Sequence, residues 1–169
     1  MKRILIPAMV AGTFFAAGGA QAGTASTTMG VSMTVASSCT VSATPLAFGT
    51  QTIIDMSADL DETTAGVLTV TCTNGEDYSV ALGVGGGSGA TFATRKMTGG
   101  PGGTATIDYT LYTDSGHTTV WGDGTASTST VGGTGDGNPQ TIDVYGQVPQ
   151  QDNLAVGAYS DTVTVTVTY

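Results

Sequence analysis

The amino-acid sequence predicts an all-β sandwich or barrel, and three observations carry that prediction. Residues 161–169 read Asp-Thr-Val-Thr-Val-Thr-Val-Thr-Tyr, which puts Val163, Val165, Val167 and Tyr169 on one face of a strand and the threonines on the other. Short runs rich in Val, Thr, Tyr, Phe and Ile are punctuated by glycine clusters at residues 83–89, 99–103 and 132–137. No stretch shows helical periodicity long enough to define a helix.

At the start of the chain, Lys2 and Arg3 precede an apolar run over residues 4–17, and Ala20-Gln21-Ala22 is a small-x-small sequence. Residues 1–22 are therefore expected to be a secretory signal peptide cut before Gly23. The apolar run is shorter than the roughly 18 residues that a membrane-spanning helix needs. Residues 23–169 remain, the length of one domain. Within 24–35, the apolar side chains of Met29, Val31, Met33 and Val35 alternate with Gly30, Ser32 and Thr34, the period of a half-buried strand. No hairpin turn follows before Cys39, so the partner of this strand is expected to be distant in the chain or on another molecule.

Cys39 and Cys72 are the only cysteines, and an exported chain meets an oxidising compartment, so the two are expected to pair. Closing a loop of about 34 residues is worth roughly 3 to 4 kcal/mol in the loop-entropy model. The body is expected to contain strands at 39–48, 51–56, 67–73, 78–84, 91–97, 106–113, 140–147 and 159–169, the bond tying an edge of the sandwich to its interior. Phe48, Tyr109, Leu111 and Trp121 are the large core candidates, and Ile107 continues the face shared by Tyr109 and Leu111. Trp121 lies in a turn-rich segment, which suggests a place at the rim.

Once the leader is removed, Arg95 and Lys96 face 13 acidic residues, a formal charge of −11, which argues against nucleic acid as a partner because phosphates would be repelled. No catalytic residue, cofactor or metal site is expected. Asp114, Ser115 and His117 sit on one short stretch, which does not give the convergent geometry of a catalytic triad. His117 is the only histidine, no C-x-x-C is present, and the glycine clusters lack the phosphate-binding patterns. The acidic groups Asp59, Asp61 and Glu62, and Asp136-Gly137-Asn138, do not have the spacing of a calcium loop and read as solvated surface.

Several segments, in order, closely resemble the spore coat protein U domain family. They are Cys39-Thr-Val, Leu46-Ala-Phe-Gly49, Arg95-Lys-Met97, Ile107-Asp-Tyr-Thr-Leu-Tyr-Thr-Asp114, Trp121-Gly122, Val144-Tyr-Gly-Gln-Val-Pro149 and Gly157-Ala-Tyr-Ser-Asp-Thr-Val-Thr-Val-Thr-Val-Thr-Tyr169. That family includes the pilins of archaic, Csu-type chaperone-usher pili of Gram-negative bacteria, and this chain looks like a major rod subunit. The resemblance implies an incomplete immunoglobulin-like sandwich, residues 36–169, that lacks its last strand and is completed by a donor strand from another subunit. It implies that residues 23–35 are that donor, with Met29, Val31, Met33 and Val35 entering the groove. Val163, Val165, Val167 and Tyr169 match the strand that lines the groove and meets the chaperone. The partners it implies are identical or related pilin subunits, a periplasmic chaperone and an outer-membrane usher. The implied destination is a cell-surface pilus for adhesion and biofilm formation, reached by export through the periplasm. The alternative is a self-contained secreted sandwich serving as a coat or carbohydrate-binding module, in which the first strand closes its own sheet. An enzyme is not expected.

Overall fold

The computed structural model describes residues 19, 21–52 and 56–169, in two compact units, Met1–Thr34 and Val35–Tyr169. The expected leader falls outside the described residues except for Gly19, Gln21 and Ala22. Residues 21–34 are exposed and carry no strand. Met29, Val31 and Met33 are 84%, 86% and 86% exposed, and Val35, at the start of the second unit, is 68% exposed. The strand expected over these residues is therefore not formed in the single chain: no ladder among the described residues includes them, and a strand needs a neighbour to take its backbone N–H and C=O groups.

Among the described residues, the second unit contains ten strands. These are β1 (Cys39–Thr44), β2 (Leu60–Asp61), β3 (Gly66–Cys72), β4 (Asp77–Leu82), β5 (Arg95–Gly99), β6 (Ala105–Tyr112), β7 (Val131–Thr134), β8 (Gln140–Val148), β9 (Tyr159–Ser160) and β10 (Val165–Thr168). The larger sheet runs β1-β3-β8-β6-β5-β9 with β2 also on β8, the smaller runs β10-β4-β7, and every ladder is antiparallel. The result is two antiparallel sheets, the immunoglobulin-like sandwich that the resemblance implies. The only helical turn among the described residues is a short 3-10 segment at Pro101–Gly103.

The core sits where alternating faces meet. Leu68, Val70 and Cys72 of β3, Val144 and Val148 of β8, and Tyr109 and Leu111 of β6 are buried from one side. Tyr78, Val80 and Leu82 of β4 are buried from the other. Each such side chain contributes roughly 1.5–3 kcal/mol of burial. Cys39 and Cys72 are bonded and lie directly opposite each other in the β1–β3 ladder.

Several sequence expectations change in detail. Trp121 is not at the rim: it is fully buried, and its indole Nε1 donates to the Val80 carbonyl at 3.0 Å, which satisfies the polar atom of a core side chain. The strand expected at 39–48 ends at Thr44, before Pro45, which has no N–H to donate to a ladder, and pairing resumes only as an Ala47–Thr64 bridge. At 51–56, residues 53–55 lie outside the described residues and no strand is formed by the rest. Residues 91–94 form a turn, closed by the Thr91 N–H donating to the Thr94 carbonyl, and the strand begins at Arg95. β7 lies inside a glycine cluster that reads as loop; its Gly133 is required because a Cβ there would come within 2.6 Å of the Tyr78 ring. The strand expected at 159–169 is two strands in different sheets, β9 on β5 and β10 on β4, with residues 161–164 crossing between them.

Candidate strand-acceptor groove

Between the two sheets runs an open groove of about 1190 Å³. Its floor is built by inward-facing residues of both sheets, among them Leu68, Leu82, Leu111, Val144 and Val148. One wall is residues 43–52, and the other is residues 154–163 with Val165. A cavity of about 150 Å³ holds a benzene ring, so this groove has room for several apolar side chains. Asp161 is the only Asp, Glu, Lys or Arg among the lining residues.

Two strand edges flank the groove, and both are open among the described residues. β1 pairs only with β3, and β10 pairs only with β4. Val41 of β1 lies opposite Val70 in the ladder and so shares its face, yet Val41 is 41% exposed where Val70 is fully buried. Val165 and Val167 lie opposite Leu82 and Val80 and remain half-buried, while Thr166 and Thr168 face solvent.

Of the four acceptor positions named from the sequence, Val163 and Val165 line the groove. Val167 packs against the core beyond the lining, and Tyr169 is 53% exposed. Residues that the sequence reading did not assign to the groove also form it, notably Leu46, Met97, Ile107 and Leu154. Leu46 and Phe48 fill the space over Gly146, where a Cβ would press on both side chains. The signal was present as Leu46 and Phe48 at strand spacing and a glycine flanked by Val144 and Val148. The pairing of the two was not.

A polar cluster holds the wall where the chain changes sheets. Asp161 Oδ2 accepts from the Tyr109 hydroxyl at 2.7 Å, and Asp161 Oδ1 accepts from the backbone N–H of Gly86 and of Thr162, both at 2.7 Å. Arg95, fully buried, donates from Nε to the Gly83 carbonyl, from Nη1 to the Phe92 carbonyl and from Nη2 to the Trp121 carbonyl, at 2.9, 2.9 and 2.7 Å. Burial pushes the Tyr109 phenol well above its ordinary range, and the hydrogen bond to Asp161 adds to the effect. Burial lowers the Arg95 pKa, opposed by the nearby Tyr109 and Asp161. Lys96, the other basic residue of the body, is paired with Asp108 at 2.6 Å.

Most of the polar groups that the sequence singled out outside the groove have partners within the fold, while the buried His117 Nε2 has no hydrogen-bond partner among the described residues. The Asp114 carboxylate accepts from the N–H of Gly116, Thr118 and Thr119 and from the Thr118 hydroxyl, bonds that hold its pKa below the usual carboxylate range. The His117 ring packs at a tilt of 60° against Tyr112 and faces Asp61 and Glu62, not Asp114. Asp59, Asp61 and Glu62 accept from Gln150 N, Gln147 Nε2 and Gly146 N, and Asp136 accepts from Asn138 N.

Residues 25–166 match the Spore Coat Protein U domain family. Protein U of Myxococcus xanthus is 30% identical over 160 residues, which cover 89% of this chain and 88% of that protein. Among solved structures, a chain of the CsuC–CsuE chaperone-tip adhesion subunit pre-assembly complex, from the archaic chaperone-usher Csu pili of Acinetobacter baumannii, is similar in fold. It aligns with a TM-score of 0.51 and 20% identity over 80% of this chain, which spans 40% of the length of that one. The family match runs from the exposed Met29–Val35 alternation through the sandwich to β10, and the chain belongs to the spore coat protein U domain family.

Proposed function

We propose that this protein is a structural subunit of a surface fibre that polymerises by donor-strand exchange, and not an enzyme. The observation that carries the reading is the open apolar groove between two unpaired strand edges, β1 and β10. Residues 23–35 supply a matching occupant: they contain no charged residue, and Met29, Val31, Met33 and Val35 are exposed. In the fibre those four side chains enter the groove of the neighbouring subunit, beside Val163 and Val165. Successive subunits then join head to tail in an open filament. Before assembly a periplasmic chaperone occupies the groove, and an outer-membrane usher exchanges it for the next subunit. The similarity in fold to a chain of a chaperone–subunit pre-assembly complex of Csu pili supports the chaperone as a partner. Residues 1–22 serve as the export signal, and the finished fibre stands on the cell surface, where it serves adhesion and biofilm formation.

Burying each donor side chain contributes roughly 1.5–3 kcal/mol. Ordering the segment costs roughly 1–2 kcal/mol per residue, a larger sum, offset in part by ladder hydrogen bonds of about 0.5–1.5 kcal/mol each. The balance is therefore set by covering the subunit's own uncovered core face.

The test is to add a second copy of residues 24–35 after Tyr169 of the mature chain through a short flexible linker. The local concentration of such a tethered strand is of millimolar order, so it fills the groove of its own chain. The expected product is a monomer on sizing that forms no fibres and melts well above the ungrafted chain, with Met33→Asp in the graft cancelling the gain. A graft that changes neither melting nor assembly would favour a sandwich that needs no added strand, serving as a coat or carbohydrate-binding module.

A further inference from the structure

The chain passes from the large sheet to the small one between Ser160, the last residue of β9, and Val165, the first of β10. These few residues decide where the groove wall stands, because Val163 and Val165 line it and β10 has no ladder on its outer side among the described residues. At the crossing, Gly83 N–H donates to the Thr164 carbonyl at 2.9 Å. The other anchor is the Asp161 carboxylate, which ties three separate places together: the Tyr109 hydroxyl on β6, the Gly86 N–H in the loop after β4, and the Thr162 N–H that follows it. Gly85 is bent around this carboxylate at φ +89°, and a Cβ there would overlap it. Hydrogen bonds to an ionised acceptor in a half-buried place are about twice as strong as neutral ones, so this knot outweighs the single backbone bond at Thr164.

We infer that Asp161 is the positioning residue of the groove: its carboxylate, held by Tyr109, Gly86 and Thr162, fixes the point at which the chain leaves the large sheet. It thereby sets the distance and register at which β10, Val163 and Val165 meet an incoming strand. The inference rests on the reading of the groove as a strand acceptor. A residue that merely stabilises the sandwich would lower the stability of the empty and filled forms alike. A positioning residue lowers the gain that the filling strand confers.

The experiment is a cycle on the mature chain, with and without the C-terminal copy of residues 24–35, in the wild type, Asp161→Ala, Asp161→Asn and Tyr109→Phe. The quantity read is the rise in melting temperature produced by the graft, together with amide exchange of β10 in the grafted chain. Asp161→Ala is expected to remove most of the rise and to speed β10 exchange by roughly tenfold or more, the equilibrium effect of losing charge-assisted hydrogen bonds. Asp161→Asn is expected to restore about half of it, since its Oδ1 still accepts from Gly86 and Thr162 and its Nδ2 can donate to the Tyr109 oxygen, but through neutral hydrogen bonds. Tyr109→Phe keeps the ring in the core and removes one bond of the three, so it reports an intermediate loss even should Asp161→Ala fail to fold. Equal rises in the wild type, Asp161→Ala and Tyr109→Phe would overturn the inference and leave the acceptor groove intact. No rise in the wild type would overturn the groove reading itself, and the inference with it.

Discussion

β1 and β3 are neighbours in one ladder, with similar sequences, Cys-Thr-Val-Ser-Ala-Thr and Gly-Val-Leu-Thr-Val-Thr-Cys, yet they live in different environments. Every second residue of β3 is buried, while every residue of β1 after Cys39 is exposed. Val41 and Val70 face each other in the register, yet Val41 is 41% exposed on an edge strand while Val70 is fully buried on a strand paired on both sides. β3 lies inside the large sheet between β1 and β8, whereas β1 is the edge of that sheet, and β10 ends the small sheet with its valines half-buried. The contrast teaches that the sandwich is complete through its middle and open along one seam. A strand period in a sequence says which face wants cover. It does not say whether the chain itself supplies it.

Substitutions sharpen that contrast, and the largest effect belongs to the closed middle. Trp121→Ala should cost roughly 3–5 kcal/mol in urea unfolding, since it empties a fully buried site and leaves the Val80 carbonyl without its donor. A loss under about 1 kcal/mol would mean that Trp121 is not part of the core.

Removing the bond at the boundary between the two regions comes next. Cys39→Ser together with Cys72→Ser should lower stability by roughly 3 to 4 kcal/mol, the value of closing a loop of this length. Amide exchange should localise the damage, with β1 opening before β3 and β8, because β1 has one ladder and almost no buried side chain to hold it.

On the open seam, Val165→Asp should cost roughly 2–3 kcal/mol in the monomer and abolish fibre formation, because it puts a carboxylate on the half-buried groove face. Thr166→Asp, one residue on and exposed, should stay within about 0.5 kcal/mol and still assemble. Equal damage from the two, by urea unfolding and electron microscopy, would show that the faces of β10 are wrongly assigned.

The smallest effect is the most direct test of the pair that opens the comparison. Val70→Thr should cost roughly 1–2 kcal/mol by burying a hydroxyl, while Val41→Thr should stay within about 0.5 kcal/mol in the monomer. In the chain carrying the C-terminal graft, the cost of Val41→Thr should rise towards that of Val70→Thr, because the added strand covers β1. A Val41→Thr cost that is unchanged by the graft would place the incoming strand away from β1.

By itself the sequence determined the class of fold, the alternating faces and the disulfide. These rest on local rules: a two-residue period has only one strand reading, and two cysteines allow only one intramolecular bond. It also marked Met29, Val31, Met33 and Val35 as an apolar face without a local partner, and Val163 and Val165 as part of an apolar face at the other end. Only the tertiary structure decided the rest. Trp121 looked peripheral because its neighbours are turn residues, but burial depends on which layers close over a side chain, and here the Val80 carbonyl draws the indole inward. Gly132 and Gly133 looked like loop because nothing in sequence shows that the Tyr78 ring occupies the place of a side chain. Residues 159–169 looked like one strand because Tyr159, Val163, Val165, Val167 and Tyr169 keep one phase, interrupted only by Asp161, across a point where the chain changes sheets. That point is set by Asp161 meeting Tyr109, some fifty residues away in sequence, and a contact of that range is decided by packing rather than by any local preference.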